Sequence, residues 1–140
     1  MDTATQHLVK NGIRPSVQRV AIMDYLLTHR THPTVDTIYH DLLPQIPTLS
    51  RTTVYNTLQL LESHKAVLAL TIDPHTVHYD GDVTPHAHFQ CRQCGCIIDI
   101  PIEEVINRPA VLSRKFKVED VQLNFIGVCD KCNTRVKPQD

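Results

Sequence analysis

Tryptophan is absent from this chain of 140 residues, and phenylalanine and tyrosine supply only 5% of it. Because a core with few large aromatic groups buries little surface, we expect support from a metal ion or a second copy of the chain. No stretch approaches the roughly 20 consecutive apolar residues of a membrane-spanning helix, which excludes that class of protein. The N-terminus lacks the basic flank and apolar run of a signal peptide. We therefore expect a reduced, cytoplasmic protein with no membrane partner.

Excess charge of either sign is also missing. Lysine and arginine number 14 against 15 acidic residues, which leaves a formal net charge of -1. This balance excludes a strongly basic nucleic-acid binder, so any contact with DNA must come from local placement of basic side chains.

The cysteines, by contrast, are informative, because four of them form two pairs with equal spacing: Cys91-Arg-Gln-Cys94 and Cys129-Asp-Lys-Cys132. Paired C-x-x-C knuckles are typical of tetrahedral zinc, since each knuckle directs two thiolates toward one ion. Two disulfides or four unrelated thiols are the alternative, but they leave the doubled spacing to chance. The spacing predicts a structural Zn2+ site that closes the second half of the chain. Cys96 lies outside the quartet, and we expect it to be a small core residue.

Apolar periodicity predicts helices in the first half. One runs from Pro15, in its first turn, to about His29. Its expected buried stripe consists of Val17, Val20, Ala21 and Leu27. The next helix has Thr34 as its cap and ends before Pro44. Its apolar positions follow the helical period: Val35, Ile38, Tyr39, Leu42 and Leu43.

Ser50 is a favourable N-cap for a further helix, in which Val54, Leu58 and Leu61 point inward. Its opposite face carries groups that can reach base edges and phosphates in a major groove: Arg51, Thr52, Tyr55, Asn56 and Gln59. A polar outer face is equally typical of any solvated helix. Segments 67–72 and 76–79 then predict a hairpin, and three helices followed by a two-stranded wing indicate a winged helix-turn-helix domain.

Basic residues lie near the predicted helix 15–29, where they would meet the DNA backbone. The full predicted DNA-binding set is Lys10, Arg14, Arg19, Arg51, Thr52, Tyr55 and Asn56. A symmetric homodimer would use this set twice, on a double-stranded operator that we expect to be an AT-rich palindrome.

From residue 86 onward the pattern changes to short strands. We predict strands at 87–90, 97–100 and 121–128 and a helix at 102–107. Residues 81–85 are rich in turn formers and are predicted to be a hinge. The expected fold class is α+β: a winged helix-turn-helix domain at 1–80, the hinge at 81–85, and a small α/β dimerisation domain at 86–140 closed by the four-cysteine zinc site.

A second metal site is predicted around His86 and His88, which are two apart on a strand and therefore project from one face. Alone, this pair is weak evidence, because histidines are often simply half-buried. Asp80 on the linker, Asp99 on the next strand and His32 in the helical half complete a set of three imidazoles and two carboxylates. Such ligands suit Fe2+, Mn2+ or Zn2+, and the missing thiolate disfavours a dedicated zinc site.

These ligands come from both halves of the chain, so we expect the metal to fix the angle between the halves. In a dimer that angle sets the spacing of two recognition helices, which must match the DNA half-sites. Metal occupancy then controls DNA affinity, and by linkage DNA favours metal binding equally.

Several segments carry a resemblance to a known family: residues 14–19 (RPSVQR), 32–39 (HPTVDTIY), 53–58 (TVYNTL), 86–89 (HAHF) and the two cysteine knuckles. From about Leu8 to Val136 the chain resembles the ferric uptake regulator family of metal-dependent bacterial transcription factors. The resemblance implies a dimeric winged-helix repressor with a structural zinc.

Within that family the chain is most similar to the peroxide-sensing repressors, because it has Asp99 where iron sensors usually have glutamate, and because Asn56 fits that subgroup. The resemblance implies that hydrogen peroxide reacts with iron at the five-ligand site, oxidises His32 or His86, and releases DNA. Manganese there would be insensitive. The alternative is an iron- or manganese-responsive uptake regulator without peroxide sensing.

Two positions depart from the family pattern. Val121 stands where iron sensors often have a further ligand histidine, and Cys96 is not part of the usual pattern. We therefore expect the additional metal site of those sensors to be absent or altered.

Two other functional classes are less consistent with the sequence. A metalloenzyme would use the histidine and aspartate site to activate water, but no H-E-x-x-H motif, general base or nucleophile stands beside it, so we expect no enzymatic activity. A zinc-stapled interaction module without DNA binding would leave DNA affinity unchanged when Arg51 or Tyr55 is altered.

Overall fold

The computed structural model of the chain describes residues 2–84, 86–101, 117 and 122–135. The chain divides into two compact units, Met1–Val83 and Thr84–Asp140. The predicted helix at 102–107 and Val121 lie outside the described residues. Every helix found among the described residues is too short or too polar to cross a membrane.

The first unit consists of helices followed by a hairpin: α1 (Thr3–Lys10), α2 (Val17–Thr28), α3 (Val35–Leu42), α4 (Arg51–Ser63), β1 (Leu68–Leu70) and β2 (His78–Asp80). The two strands pair antiparallel, with Ala69 opposite Tyr79. Three helices and a two-stranded wing after the short α1 confirm the predicted winged helix-turn-helix arrangement.

Each of these helices begins at a side-chain cap. Asp2, Ser16, Thr34 and Ser50 each accept the backbone N–H of the residue three positions later, which satisfies one of the free N–H groups of the first turn. The predicted caps Thr34 and Ser50 are confirmed. Pro15 precedes the cap of α2, so its predicted place in the first helical turn was wrong.

Apolar side chains from all four helices form the core of the first unit. On α4 the predicted positions Val54, Leu58 and Leu61 are fully enclosed. On α2 the predicted stripe was partly wrong, because Val17 is 79% exposed whereas Ile22 is fully enclosed. Since α2 contacts α1, α3 and α4, its buried face is wider than a single stripe.

Gly81 packs directly against α2 at the end of the first unit. A Cβ atom at this position would lie 2.7 Å from the backbone oxygen of Leu26, so a larger residue would displace the chain. This close approach fixes the backbone next to Asp80. The predicted hinge therefore begins at a packed residue, and its role as a hinge stays a prediction.

The second unit contains a sheet built from β3 (His86–Cys91), β4 (Ile97–Pro101) and β5 (Asn124–Gly127). The strand order is β4-β3-β5, with β3 antiparallel to β4 and parallel to β5. A 3-10 helix, Cys132–Arg135, follows. β3 and β4 each extend one residue or more beyond the predicted limits, whereas residues 122, 123 and 128 lie outside β5.

Candidate metal centres and nucleic-acid interface

Four thiols meet where β3 ends and the 3-10 helix begins. The Sγ atoms of Cys91, Cys94, Cys129 and Cys132 all lie within 4.8 Å of one another. Cys94 Sγ and Cys129 Sγ are 3.8 Å apart. All four are free cysteines, so neither pair of knuckle residues is used in a disulfide. The donor set and its spacing fit one tetrahedral Zn2+ ion.

The thiols of the quartet differ in proton affinity because they share a small space. The backbone N–H of Cys94, and then that of Cys129, lower the pKa of the Cys91 thiol to about 6. A hydrogen bond to the Cys129 side chain, and then one to Cys91, raise the pKa of Cys132 to about 12. Holding all four as thiolates at neutral pH therefore requires a cation among them, which is the role of zinc in such sites.

Cys96 lies outside the quartet. It is half-buried, and burial followed by a hydrogen bond to Cys94 raises the pKa of its thiol to about 11. Its Sγ is not among the four that lie within 4.8 Å of one another, which places Cys96 outside the predicted zinc site. Its backbone oxygen accepts the N–H of Cys91, which closes the first knuckle.

Two histidines and an aspartate share one face of the sheet in the second unit. His88 lies directly opposite Asp99 on the neighbouring strand, and His86 projects on the same side two residues away. The Nε2 atoms of His86 and His88 lie 3.3 Å and 3.4 Å from the same carboxylate oxygen, Asp99 Oδ1. These residues form a nitrogen and oxygen triad.

The ring of His86 is oriented for ligation through Nε2. Its Nδ1 lies 2.7 Å from the carbonyl oxygen of Thr84, which can only accept, so Nδ1 carries the proton. Nε2 of the neutral ring then keeps its lone pair. Metal-binding histidines are commonly oriented in this way, with the second nitrogen donating to a carbonyl.

The remaining predicted ligands, His32 and Asp80, form a buried pair in the first unit. Nε2 of His32 lies 3.5 Å from Oδ2 of Asp80, and the two side chains are 4% and 2% exposed. The other carboxylate oxygen of Asp80 accepts the N–H of Asp82 at 2.9 Å. A carboxylate buried this deeply needs a compensating positive charge, which a cation or an imidazolium can supply. Whether the pair and the triad bind one ion together stays a prediction.

Two residues beside this pair, His78 and Asp73, were not predicted from the sequence. Nδ1 of His78 lies 2.7 Å from the carbonyl oxygen of His32, and its Nε2 lies 3.0 Å from Oδ2 of Asp73. The available signal was the alternation of β2, which places residues 78 and 80 on the same side of the strand.

The outer face of α4 exposes Thr52, Tyr55, Asn56 and Gln59. Tyr55 is 48% exposed. Nε2 of Gln59 donates to the Tyr55 hydroxyl oxygen at 2.6 Å, which leaves the phenolic proton of Tyr55 available for another acceptor. Tyr55 therefore presents a hydrogen-bond donor at this surface, suited to a phosphate or a base acceptor.

Arg51 is held by residues of α3. Its Nε lies 2.8 Å from Oδ1 of Asp36, and its guanidinium lies 4.6 Å from the ring centroid of Tyr39. Both members of the ion pair are largely exposed, so the pair adds little stability. A DNA phosphate at Arg51 would compete with Asp36.

Polar residues line a cavity of about 460 Å³ between the start of α2 and the first half of α4, among them Arg14, Arg19, Thr53 and Asn56. Nη1 of Arg19 donates to the carbonyl oxygen of Arg14 at 2.9 Å, which fixes the guanidinium beside the N-terminus of α2. Two guanidinium groups next to the positive end of a helix suit a phosphate. Lys10, in the predicted DNA-binding set, is an exposed residue at the end of α1 and is not among the residues that line this cavity.

The chain is similar to known proteins of one family. The sequence model of the ferric uptake regulator family matches residues 10–126. The chain is 34% identical to the peroxide-responsive repressor PerR of Staphylococcus aureus strain Mu50 over 137 residues, which is 96% of this chain and 93% of that protein.

Solved structures agree with the sequence comparisons. PerR from Streptococcus pyogenes is 33% identical, with a TM-score of 0.52 and 94% of each chain covered. The Helicobacter pylori regulator Fur, described as having three functional metal binding sites, is 23% identical with a TM-score of 0.76, over 99% of this chain and 97% of that chain. The latter likeness establishes the fold alone. Because the family model and the PerR relative both cover most of the sequence, this chain belongs to the ferric uptake regulator family.

Proposed function

We propose that this protein is a homodimeric, metal-dependent transcriptional repressor that senses hydrogen peroxide by oxidation of a ligand histidine. The observation that carries the proposal is the histidine and aspartate triad on β3 and β4, in a chain 34% identical to a peroxide-responsive repressor. Nitrogen and oxygen donors without a thiolate suit Fe2+ or Mn2+.

The proposed regulatory ion takes ligands from both units: His32, Asp80, His86, His88 and Asp99. An ion bound in this way links the second unit to the winged helix. By linkage, metal binding and DNA binding then strengthen each other by the same factor.

The cysteine quartet has a separate role in this proposal. Cys91, Cys94, Cys129 and Cys132 hold a structural Zn2+ ion, since four thiolates leave it no open position for a reactant. Zinc therefore contributes to the folding of the second unit, and the response to peroxide is confined to the histidine and aspartate ligands.

Hydrogen peroxide is the oxidant in the proposed chemistry. Its O–O bond breaks, one oxygen atom inserts into the C–H bond of a ring carbon of His32 or His86 so that the carbon bears a hydroxyl group, and the other oxygen leaves as water. One molecule of peroxide thus gains the two electrons that the imidazole loses. Fe2+ held by these ligands would supply the one-electron chemistry that starts O–O cleavage, which Mn2+ would not supply. An oxidised ring is a poorer ligand, so the ion and then the DNA are released.

DNA is recognised through α4 and the residues near the start of α2. Thr52, Tyr55 and Asn56 are exposed on α4 for contact with base edges or phosphates, and Arg51 lies beside them. Arg14 and Arg19 line the cavity beside the start of α2, and Lys10 provides a further positive charge nearby in sequence. Two copies in a symmetric dimer would read a palindromic operator, for which we propose an AT-rich sequence.

The peroxide step is tested with zinc-loaded protein, prepared anaerobically with either Fe2+ or Mn2+ and bound to a fluorescent operator duplex. A small dose of hydrogen peroxide should abolish the anisotropy signal of the Fe2+ form only. Peptide mass spectrometry should then show one added oxygen atom on His32 or His86. The Mn2+ form is the matched control, because it carries the same protein and the same DNA.

The same experiment distinguishes peroxide sensing from the alternative function, regulation of metal uptake. If both metal forms keep their DNA after peroxide and release it only when the metal is removed, the protein is an iron- or manganese-responsive uptake regulator. Oxygen found on cysteines but on neither histidine would also contradict the proposed sensing chemistry.

A further inference from the structure

A chain of contacts runs from the turn of the wing to the backbone of His32. Asp73 lies in the turn between β1 and β2, and its Oδ2 is 3.0 Å from Nε2 of His78. The opposite nitrogen of that ring, Nδ1, is 2.7 Å from the carbonyl oxygen of His32. All of these residues belong to the first unit.

We infer that His78, oriented by Asp73, is a positioning residue that holds His32 in place for metal binding. The inference rests on the proposed function only in taking His32 as a ligand of the regulatory ion. It assigns a role to two residues outside the ligand set and connects the wing turn with the metal site.

The backbone of His32 needs such support. Its φ is +56°, in the left-handed region that non-glycine residues rarely occupy. A conformation of this kind persists when surrounding contacts over-determine it, and strained residues of this kind cluster at functional sites. The His78 ring supplies one of those contacts by binding the carbonyl group of the strained residue itself.

A second bond ties the same segment to β2. The backbone N–H of Tyr79 donates to the carbonyl oxygen of Pro33 at 2.9 Å. His78 and Tyr79 thus hold two successive carbonyl groups, and the next residue of β2 is Asp80, which faces the ring of His32. The position of His32 relative to Asp80 therefore depends on how β2 is attached to residues 32 and 33.

The ring of His78 is well enclosed, so its orientation is constrained. Its side chain is 16% exposed and that of Asp73 is 18% exposed. Asp73 is itself fixed, because its Oδ1 accepts the backbone N–H of His75 at 2.9 Å. That N–H, and then the His78 ring, lower the pKa of the Asp73 carboxyl group, which is consistent with a charged acceptor for the ring.

The test uses full-length, zinc-loaded protein and Mn2+ as the probe. His78→Phe keeps a ring of similar size but removes both hydrogen bonds. His78→Arg restores donors, because a guanidinium can donate to a carbonyl and to a carboxylate at once. His75→Ala is the matched control, since it alters an exposed side chain of the same turn but keeps the backbone N–H that binds Asp73. Mn2+ affinity is measured by calorimetry, and folding of the metal-free variants by thermal denaturation.

We expect His78→Phe to weaken Mn2+ binding by about tenfold or more, as loss of a group that orients a metal ligand typically does. His78→Arg should recover most of the affinity, and His75→Ala should bind as the unaltered protein does. Saturating Mn2+ should restore DNA binding to His78→Phe, because the substitution lowers the affinity for the ion and leaves the DNA-binding residues unchanged.

Three results would overturn the inference. If His32→Ala weakens Mn2+ binding but His78→Phe and Asp73→Asn do not, His32 is a ligand that needs no positioning by His78. If His32→Ala leaves Mn2+ affinity unchanged, the proposed ligand set fails, and the inference fails with it. An affinity loss in His78→Phe that tracks lower thermal stability and is not rescued by His78→Arg would indicate a purely structural role, against the inference.

Discussion

The neighbouring groups of each side chain determine its chemical role in this protein. One carboxylate oxygen of Asp99 lies close to two imidazole nitrogens, whereas the buried carboxylate of Asp80 lies close to a single histidine ring, that of His32. Thiols show the same dependence on surroundings, since backbone N–H groups lower the pKa of Cys91 while burial raises that of Cys96. Residue type alone would not separate these roles.

Removal of one quartet thiol is expected to abolish zinc binding. In Cys132→Ser the remaining three thiolates leave the site incomplete, so zinc should fall from about one ion per chain to near zero and the second unit should lose its fold. Cys96→Ser is the matched control, because it removes a neighbouring thiol from outside the quartet. The zinc content of each variant is measured by elemental analysis after dialysis. Equal zinc content in Cys132→Ser and Cys96→Ser would contradict the assignment of Cys132 as a zinc ligand.

Ligand types could be predicted from sequence where they depend on local spacing. The C-x-x-C knuckles and the H-x-H pair lie within a few residues, and strand alternation alone places His86 and His88 on one side. Contacts between distant residues could not be predicted in this way. The bond from His78 to His32 spans 46 positions and depends on how the wing packs, which no local pattern encodes.

At the scale of elements, helices were easier to predict than their packing. Caps at Thr34 and Ser50 and the inward face of α4 follow from local rules. The face of α2 does not, because apolar residues surround much of that helix and three other helices contact it. Val17 fits the helical period but lies in the exposed first turn.

Contact between α2 and α3 includes a hydrogen bond whose loss can be measured. The Tyr25 hydroxyl donates to Oδ2 of Asp41 at 2.5 Å. Tyr25→Phe should lower the free energy of unfolding by about 1 to 2 kcal/mol, since it leaves a carboxylate without this donor. Urea denaturation of the two proteins measures the difference.

The same bond predicts a pH dependence. Burial, and then the bond to Asp41, raise the pKa of Tyr25 from 10.0 to about 12. Because the folded state favours the neutral phenol, the stabilisation is complete below pH 10 and is lost as the pH rises through 12. If the difference in free energy of unfolding between Tyr25→Phe and the unaltered protein increased with rising pH, this account would be contradicted.

The start of α2 and the first half of α4 together form the proposed phosphate site. Arg14→Ala and Arg19→Ala should each weaken DNA binding and reduce the slope of log K against log salt by about one per contact, or about two per dimer. Arg92→Ala removes the same charge from an exposed position in the second unit and serves as the control. Unchanged slopes in Arg14→Ala and Arg19→Ala would show that neither guanidinium contacts a DNA phosphate, which would contradict the proposed site.

For the whole molecule, the central feature is that each unit holds part of one proposed ligand set. The winged helix contributes His32 and Asp80, and the zinc-closed sheet unit contributes the triad. Fold class and the order of the elements could be predicted because local signals agree along the chain. The sequence also predicts that one ion acts on both units, and this stays a prediction, since it depends on the arrangement of folded units rather than on any one segment.

The most direct test of this account is the affinity of the zinc-loaded protein for DNA with and without Mn2+. The probe is a duplex selected from a random pool with the Mn2+-loaded protein, and anisotropy gives the dissociation constant while elemental analysis confirms that zinc is retained. We predict at least about tenfold tighter binding with Mn2+, within the usual range of coupling between sites, and loss of that gain in His88→Ala. Equal affinity with and without Mn2+, at full zinc occupancy, would contradict the central claim that a regulatory metal controls DNA binding.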